Sequence, residues 1–388
     1  MASLDQPDNT PYPWREGNRF RLLIDGDRFY PAMLEAIAGA RHQVLLEMYL
    51  ITSGRIASRF VDALTAAAAR GAAVYLLADD FGARRLHRND RRRLQDGGIH
   101  LCYFNPLRYE ALLGNLLRDH RKILVIDGRF AVAGGAGIAD EFASSHGGHD
   151  WRDTMVAIEG PVVQDWQHLF IANWRQAAGA GTLPPMILPP PEPAGEQSGR
   201  VNYTRGFFYT PIKRTAITRI RNAQRRVWLA TAYFVPSLKL RRVLRRAAGR
   251  GLDVRLLLPG PHTDHPPIRH AGRRFYHRLL DHGVRIFEYQ PRFTHSKVLL
   301  CDDWVSIGSS NIDRWTLRWN LEANQEVNDA SFAAEAAQML EADFAESKEL
   351  LPENWGRRSR YQRLRETFWG WIDLGLERWT RGPPHDDV

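Results

Sequence analysis

The amino-acid sequence contains one long pattern twice, with the two copies about 180 residues apart. The segment GARHQVLLEMYLI returns as NAQRRVWLATAYFV, and LQDGGIHLCYFNP returns as LLDHGVRIFEYQP. Equivalent positions are 183 residues apart at Val44 and Val227, and 175 residues apart at His120 and His295. A near-constant offset over this length indicates an internal duplication with short insertions and deletions. The chain must therefore fold as two similar halves.

Each half ends in the same spaced motif, H-x-K-x-x-x-x-D. The two copies are His120, Lys122 and Asp127 in the first half, and His295, Lys297 and Asp302 in the second. In a random chain of this composition, the expected number of occurrences of this motif is only about 0.01. The chain has 48 Arg but only five Lys, and two of those lysines occupy the motifs. Lysine at these positions indicates a place where the larger guanidinium group would not fit.

Hydrophobic periodicity around the motifs predicts alternating helices and strands. In the first half we expect helices at 29–40 and 59–70, and buried strands at 43–51 and 72–79. A further amphipathic helix is expected over 329–350. Alternation of this kind predicts parallel strand pairing and an α/β fold.

Composition shifts divide the chain into five parts. These are an N-terminal extension at 1–17, a first half at 18–182, a proline-rich linker at 183–199, a second half at 200–350 and a C-terminal tail at 351–388. The linker, LPPMILPPPEPAGEQSG, contains too many prolines for regular structure. The tail mixes arginines with tryptophans, which fits either an interfacial membrane helix or a helix docked on its own domain.

The chain is basic, with a net charge of +9 and a pI near 9.7. This charge indicates an anionic partner, either nucleic acid or an anionic membrane surface, or simply a solvated basic surface. Cys102 and Cys301 lie in apolar runs, which predicts reduced thiols in the cytosol. We find no secretory signal and no run of ~18 apolar residues, so any membrane contact is expected to be peripheral.

The motif spacing suggests a particular chemistry. A histidine and a lysine two residues apart on a strand point to the same face. If the halves pack about a pseudo-twofold axis, two such pairs can meet in one cleft. One neutral imidazole could then attack the phosphorus of a phosphodiester, while the opposing imidazolium protonates the leaving oxygen and the lysines neutralise the other oxygens. Water or an alcohol would resolve the resulting phosphohistidine.

The paired motifs resemble those of the phospholipase D superfamily. The stretches WREGN, HRKILVIDGR, WRDTMVAIEGPVV and TAYFVPSLKLRRVLRRAAGRGLDVRLLLPG are similar to bacterial cardiolipin synthases, particularly the type without N-terminal transmembrane helices. The resemblance covers about 14–327. It implies two phospholipase D-like halves related by a pseudo-twofold axis, each a mostly parallel mixed sheet flanked by helices, followed by a C-terminal helical tail. It also implies chemistry that needs no metal and no cofactor.

The resemblance also implies roles for the motif residues. His120 is the expected nucleophile and His295 the expected general acid, although the symmetry of the sequence alone does not decide between them. The expected phosphate-binding residues are Lys122, Lys297, Ser309 and Asn311. The first copy departs from the family pattern, because Gly135 and Gly137 stand where the second copy has Ser309 and Asn311.

Four acidic residues complete the expected site. Asp127 and Asp302 belong to the motifs, but we expect them to brace the motif loops rather than touch substrate. Asp153 and Glu322 each follow a motif by about 30 residues. By the resemblance they orient the histidines by accepting a hydrogen bond from the second ring nitrogen. The alternative for either residue is an ordinary salt bridge with one of the many arginines.

The leading interpretation is a phosphatidyltransferase of cardiolipin synthase type. Its expected substrates are anionic phospholipids such as phosphatidylglycerol, at the inner face of the bacterial cell membrane, with nucleic acid a less favoured partner. The alternatives are a phosphodiesterase that hydrolyses phospholipid or nucleic acid, and a non-catalytic binder of anionic membranes or nucleic acid. One histidine-rich segment fits either a metal site or a solvated loop at the mouth of the cleft: His262, His265, His270 and His277.

Overall fold

The computed structural model describes residues 12–108, 114–143, 150–179, 183–188, 192–205, 210–312, 319–356 and 368–369. The predictions for the N-terminal extension before residue 12, and for the tail beyond 356 apart from 368–369, lie outside these ranges. Within them the chain forms two similar α/β halves whose strands join one large sheet, apart from β5 and β15, which pair with each other. The described ranges include no helix that is both long and apolar enough to cross a membrane.

The first half contributes strands and helices in alternation. Its described strands are β1 (Arg15–Ile24), β2 (Gln43–Met48), β3 (Ala73–Asp79), β4 (His100–Phe104), β5 (Arg118–Asp119), β6 (Lys122–Ile126), β7 (Phe130–Gly134) and β8 (Thr154–Glu159). Its described helices are α1 (Gly26–Gly39), α2 (Arg55–Ala69), α3 (Arg88–Asp96) and α4 (Val163–Ala178). Strands β2 and β6 are buried along their whole length, as their continuous apolar sequences predict.

The second half repeats this order. Its described strands are β9 (Gln197–Tyr203), β10 (Arg226–Ala230), β11 (Asp253–Pro259), β12 (Arg285–Tyr289), β13 (Val298–Cys301), β14 (Trp304–Gly308), β15 (Asn320–Leu321), β16 (Ala323–Asn328) and β17 (Ser347–Leu350). Its described helices are α5 (Pro211–Asn222), α6 (Leu238–Gly249), α7 (Pro266–Arg273), α8 (Tyr276–Leu280), α9 (Ala330–Ala345) and α10 (Pro352–Gly356). Strands β1 and β9 begin three residues before residues 18 and 200, the predicted starts of the two halves. The other boundaries between the five parts of the chain stay predictions.

The order of strands in the sheet is symmetric about its centre. It runs β17-β12-β11-β10-β13-β14-β16-β9 through the second half and continues β1-β8-β7-β6-β2-β3-β4 through the first. The first strands of the two halves, β1 and β9, pair antiparallel at the junction. Apart from the edge strand β17, equivalent strands lie at equal distances from that junction. This is the arrangement expected when a duplicated unit packs about a pseudo-twofold axis.

The predicted α/β class with two related halves is confirmed, but one detail of the pairing differs. Parallel pairs join β2 to β3 and β3 to β4, and likewise β10 to β11 and β11 to β12. The motif strands β6 and β13 instead pair antiparallel with both of their neighbours. A short hairpin joins each motif strand to the strand that follows it, β7 or β14, and only antiparallel strands can be joined in that way. The predicted helix over 329–350 also stops at Ala345, because β17 pairs with the sheet edge at β12.

A shared hydrophobic core holds the two halves together. It lies around α4 and α9 and includes Trp166, Phe170, Phe332 and Leu340, all of them fully buried. The indole Nε1 of Trp166 donates to Oε1 of Gln325 in the other half over 2.8 Å. Two further hydrophobic clusters lie within the first half and within the second half, respectively. Because the central cluster draws on both halves, it fixes the position of one motif relative to the other.

Candidate active site

Both motif histidines line one cavity of about 590 Å³. It opens beyond the carboxyl ends of the parallel strands β2, β10 and β11, which is where ligands bind in open α/β sheets. Its described lining residues are Tyr49, Leu50, Leu116, His120, Lys122, Gly135, Gly137, Phe142, Trp151, Tyr233, Asp264, His265, Ile268, His295, Asn311, Trp319 and Asn320. The floor is thus polar and the walls largely apolar.

Each histidine is held by a carboxylate from the opposite half. Nδ1 of His120 lies 3.0 Å from Oε1 of Glu322, and Nδ1 of His295 lies 2.6 Å from Oδ2 of Asp153. Both carboxylate side chains are completely buried. A carboxylate at Nδ1 fixes the tautomer of a neutral imidazole and leaves the Nε2 lone pair available for reaction. The two halves therefore exchange their acidic residues, and neither half holds a complete site.

The backbone follows the same exchange. The amide of His120 donates to the carbonyl of Leu321 over 2.9 Å, next to Glu322. The amide of His295 donates to the carbonyl of Arg152 over 2.7 Å, next to Asp153. Strands β5 and β15 pair in parallel just before the His120 contact, and Arg152 and Thr294 form a parallel bridge just before the His295 contact, so each histidine is positioned by main-chain bonds as well as by its carboxylate.

Arg152 anchors one side of this exchange. Its guanidinium, which is almost fully buried, donates from Nε and Nη2 to the two carboxylate oxygens of Asp343, each over 3.0 Å. A bidentate pair of this kind is geometrically specific. Because the carbonyl of Arg152 receives the His295 amide, the pair fixes the backbone that carries both Arg152 and Asp153.

The two motif lysines are buried beside the histidines. Nζ of Lys122 donates to the carbonyl of His120 over 2.5 Å, and Nζ of Lys297 donates to the carbonyl of His295. Nζ of Lys297 also lies 2.8 Å from Nδ1 of His295. Since Nδ1 can donate its proton to Asp153, we assign the hydrogen bond of Lys297 to the carbonyl. Burial lowers the pKa of Lys122 to about 7, and the positive charge of Lys297 adds to that effect.

Burial also controls the charges of the other groups. It lowers the pKa of both His120 and His295 well below the usual value, and the positive charges of the two lysines lower it further. Burial raises the pKa of Asp153 to about 6 and that of Glu322 to about 8. In the absence of substrate, both imidazoles are therefore neutral. An anionic phosphodiester between them would offset the lysine charges and favour protonation of one ring.

The segment after the second motif differs from that after the first. The hydroxyl of Ser309 donates to Glu322, so this serine supports the carboxylate that holds His120. Asn311 accepts from the Thr231 hydroxyl over 3.1 Å, while its buried Nδ2 has no hydrogen-bond partner among the described residues. At the position equivalent to Ser309, a Cβ on Gly135 would lie 2.4 Å from Oδ1 of Asp153. The glycine is thus required by the close approach of the carboxylate.

The two motif aspartates do not line the cavity. Asp127 occupies the turn after β6, at the opposite end of the strand from Lys122, about 17 Å away for five residues at ~3.3 Å each. Its carboxylate accepts from the amides of three residues before and within β2, at 2.7–2.9 Å: Arg41, His42 and Gln43. Asp302 accepts in the same way from Gln224, Arg225 and Arg226. Both aspartates thus tie a hairpin turn to the start of the neighbouring antiparallel strand, β2 or β10.

The hairpin turn after the first motif is one residue longer than the turn after the second motif. Three residues, 127–129, join β6 to β7, whereas two residues, 302–303, join β13 to β14. Asp127 has a φ of 52° and Asp302 a φ of 53°. This left-handed region is accessible to Asp, whose short side chain bonds locally to the backbone.

Aromatic residues surround the two histidines unequally. The Tyr49 ring centroid lies 4.7 Å from that of His120, and Nζ of Lys122 lies 5.0 Å from the same tyrosine ring. His295 contacts Trp151, Phe142, Phe293 and Tyr233, with ring centroids 5.2–6.4 Å away. All four follow or precede strands, where an aromatic residue gives the same sequence signal as a core residue.

The histidine-rich segment does not converge on a metal. Across the described residues, no group of three or more His, Cys, Asp or Glu side chains is placed to hold a metal ion. His265 lines the cavity, whereas His262 does not. His262 and His265 lie in the loop between β11 and α7, whereas His270 lies within α7 and His277 within α8, so the prediction of a loop holds only for the first part of the segment.

Two α/β halves with exchanged histidine–carboxylate pairs define the class of protein as phospholipase D-like. A family model described as "Cardiolipin synthase, PLD-like domain" matches the chain twice, over 33–174 and 216–346. The chain belongs to the cardiolipin synthase family of phospholipase D-like proteins. This membership confirms the predicted family and the prediction of an enzyme of cardiolipin synthase type, from a family that acts on phospholipids.

Individual relatives agree with this placement. The chain is 32% identical over 357 residues to "Cardiolipin synthase 2" of Bacillus anthracis, covering 89% of this chain and 68% of that protein. It is 35% identical over 364 residues to "Cardiolipin synthase A" of Pseudomonas entomophila, covering 91% and 74%. The crystal structure of phosphatidylserine synthase from Haemophilus influenzae Rd KW20 superposes with a TM-score of 0.72 at 13% identity, covering 94% and 93% of the two chains. At this low identity, the similarity to phosphatidylserine synthase shows a shared fold and nothing about activity.

Proposed function

We propose that the protein transfers a phosphatidyl group from one phospholipid to a hydroxyl of another, with phosphatidylglycerol as donor and acceptor and cardiolipin as product. The observation that carries this proposal is the cavity itself. It holds two neutral imidazoles, each oriented by a buried carboxylate, together with Lys122 and apolar walls, and Lys297 is buried next to His295. Such a site suits a phosphodiester that is attached to apolar groups.

The proposed reaction has two steps. Nε2 of His120 bonds to phosphorus while the bond to the headgroup oxygen breaks, and that oxygen takes a proton from His295. A hydroxyl of the acceptor lipid then attacks phosphorus, its proton passes to His295, and the bond to His120 breaks. Glu322 stabilises the positive charge on His120, and Asp153 that on His295. Neutral His120 is the form that the first step requires.

The phosphate is proposed to lie against the polar floor of the cavity. Lys122 and Lys297 neutralise the non-bridging oxygens, and Nδ2 of Asn311 supplies a donor that has no partner among the described residues. Ser309 contributes through Glu322. In the first half the backbone near Gly135 and Gly137 takes the place of side-chain donors.

The outer helices of the second half support a peripheral position on an anionic membrane. Helices α5 to α8 contain twelve Lys or Arg residues and no Asp or Glu, whereas α1 to α3 contain seven basic and five acidic residues. Lys239, Arg242 and Arg246 are exposed on α6, and Leu238 at the start of this helix is 49% exposed. Helix α6 begins five residues after Tyr233, which lines the cavity. We propose that this face binds the inner, anionic leaflet of the bacterial cell membrane.

Vesicle flotation tests the membrane face. The protein should bind phosphatidylglycerol vesicles more tightly than phosphatidylcholine vesicles, and salt should weaken the binding. The double variant Arg242→Glu and Arg246→Glu should reduce binding about tenfold or more, since each basic residue near the surface contributes ~1 kcal/mol. The matched control places the same charges on α3, with Arg88→Glu and Arg92→Glu. Equal losses in the two variants would contradict a docking role for α6.

Lipid analysis tests the activity. Purified protein is incubated with phosphatidylglycerol vesicles, and the lipids are followed by mass spectrometry. Cardiolipin and free glycerol are expected from the wild type, and neither from His120→Ala or His295→Ala, while His262→Ala serves as an exposed-histidine control. Formation of phosphatidic acid without cardiolipin would show that the protein is a hydrolase rather than a transferase. Mapping a trapped phosphohistidine to His295 would reverse the assigned roles of the two histidines.

A further inference from the structure

The loop between β11 and α7 brings a second polar cluster to the wall of the cavity. Its members, Tyr233, Asp264 and His265, all line the cavity. The Tyr233 hydroxyl donates to Oδ2 of Asp264 over 2.5 Å, and Nε2 of His265 lies 3.6 Å from the same oxygen. The Tyr233 ring centroid lies 5.7 Å from that of His265 and 6.4 Å from that of His295. The cluster therefore adjoins the reacting groups without being part of either motif.

The charge of Asp264 indicates which part of a substrate this wall contacts. Among the described residues that line the cavity, Asp264 is the only carboxylate. A carboxylate repels a phosphate, which is attracted instead by Lys122 and the histidines on the floor. The substrate group beside Asp264 is therefore not the negatively charged phosphate. In a phosphodiester that group is one of the two alcohols esterified to phosphorus.

The hydrogen-bonding capacity of the cluster favours an alcohol with several hydroxyl groups. Within the part of the chain that the structure describes, Oδ1 of Asp264 accepts no hydrogen bond, so it can accept from a bound hydroxyl. The His265 side chain is 59% exposed and can donate or accept. Pro266 and Pro267 begin α7 and have no N–H, so these two positions offer no backbone donor to a bound hydroxyl.

The opposite wall has a different character. The first half contributes mainly Leu50, Phe142 and Trp151 there, which suit the apolar part of a lipid rather than a polyol. The cavity is thus polarised, with a phosphate-binding floor, one apolar wall and one hydroxyl-binding wall. The duplicated halves have diverged at this point, because no carboxylate from the described first half lines the cavity.

We propose that Tyr233, Asp264 and His265 form the subsite for the alcohol exchanged at phosphorus, and that this subsite selects a polyol headgroup by hydrogen bonds to its hydroxyls. The subsite rests on the phosphatidyl transfer proposed above. The glycerol that leaves the donor and the glycerol headgroup of the acceptor occupy it in turn. Its role is selection of the alcohol, and it takes no part in breaking the bond to phosphorus.

Competition between two alcohols tests the subsite. Labelled glycerol and 1-propanol are added together to phosphatidylglycerol vesicles, and incorporation of each into phosphatidyl products is measured by mass spectrometry. The ratio of the two products depends on the alcohol and not on how the phosphatidyl-enzyme formed. The preference for glycerol should fall about tenfold or more in Asp264→Ala, and about threefold in Tyr233→Phe, since a site built for hydroxyl groups discriminates through its polar partners.

The controls separate this subsite from the transferase activity. His262→Ala changes an exposed histidine of the same loop outside the cavity and should keep the wild-type ratio. An unchanged ratio in Asp264→Ala, or no glycerol preference in the wild type, would overturn the subsite alone. Absence of transfer to any alcohol by the wild type would overturn the proposed transferase instead. Tyr233→Phe, which keeps the aromatic ring, carries the same test if Asp264→Ala does not fold.

Discussion

Replacing Glu322 with glutamine should make the protein more stable at alkaline pH while it removes most of the activity. The Glu322 side chain is completely buried between Nδ1 of His120, the Ser309 hydroxyl and Nδ2 of Asn320. Burial raises the pKa of this carboxyl to about 8, although the charge of Lys122 acts in the opposite direction. The ordinary value for a glutamate is about 4.3. The folded chain thus retains a proton that the unfolded chain has released.

The sign and size of the stability effect follow from this difference. Between pH ~4.3 and pH ~8 the folded state binds more protons than the unfolded state, so the contribution of Glu322 to stability falls as pH rises. The maximum slope for one group is about 1.4 kcal/mol per pH unit. Glutamine does not titrate. From pH 5 to pH 8, the variant should therefore gain on the order of 2–4 kcal/mol in free energy of unfolding relative to the wild type.

Activity should change in the opposite direction. A glutamine amide can still accept a hydrogen bond from Nδ1 of His120, but unlike Glu322 it has no proton to release and so cannot supply a negative charge when the ring becomes positively charged. We expect the transfer rate to fall by about 10²–10⁴, as for other histidines that lose a partner carboxylate. A neutral residue that supported full activity would show that Glu322 is only a packing residue.

Urea unfolding at pH 5 and pH 8, combined with the lipid assay, measures both effects. The matched control is Glu341→Gln, which changes an exposed glutamate on α9 and should alter neither the activity nor the pH dependence of stability. The reasoning fails if Glu322→Gln loses stability relative to the wild type as pH rises. It also fails if the two glutamine variants behave alike.

Three other changes test separate features of the site. Gly135→Ala should lower activity about tenfold or more, because its Cβ would displace Asp153, whereas Gly249→Ala, with nothing within 4 Å, should not. Asp127→Ala should cost about 1–3 kcal/mol of stability, measured by urea unfolding, by leaving three amides without an acceptor, and should affect activity only through folding. The KM for phosphatidylglycerol should rise with pH above about 7 as Lys122 loses its proton, and Lys122→Gln should abolish this dependence.

Much of the site could be predicted because the duplication restricts how the chain can fold. Two copies of one motif, together with alternating strands and helices, require two similar halves and allow one shared cavity. The spacing of His120 and Lys122 places both groups at the same end of β6. The separation of Asp127 from them by a whole strand also follows from the length of the motif. These conclusions need only local geometry and symmetry.

The exchange of acidic residues could not be predicted in the same way. Asp153 follows His120 in sequence, and Glu322 follows His295, so pairing within each half was equally compatible with the motif spacing. Only the packing of the two halves decides that each carboxylate crosses to the other histidine. The role of Asp264 was hidden for a related reason. In the sequence it belongs to a polar loop, and its position on the cavity wall depends on the tertiary fold.

The exchange leads to a test of which histidine carries the phosphatidyl group. If His120 is the nucleophile, Asp153→Asn weakens only the acid and base action of His295 in the opposite half. A phosphatidyl ester with a good leaving group, such as 4-nitrophenol, hardly needs that acid in the first step, but attack by the acceptor still needs the base. The covalent intermediate on His120 should therefore accumulate in Asp153→Asn and not in Glu322→Gln. Accumulation in Glu322→Gln, mapped to His295, would show that the two halves have the opposite roles.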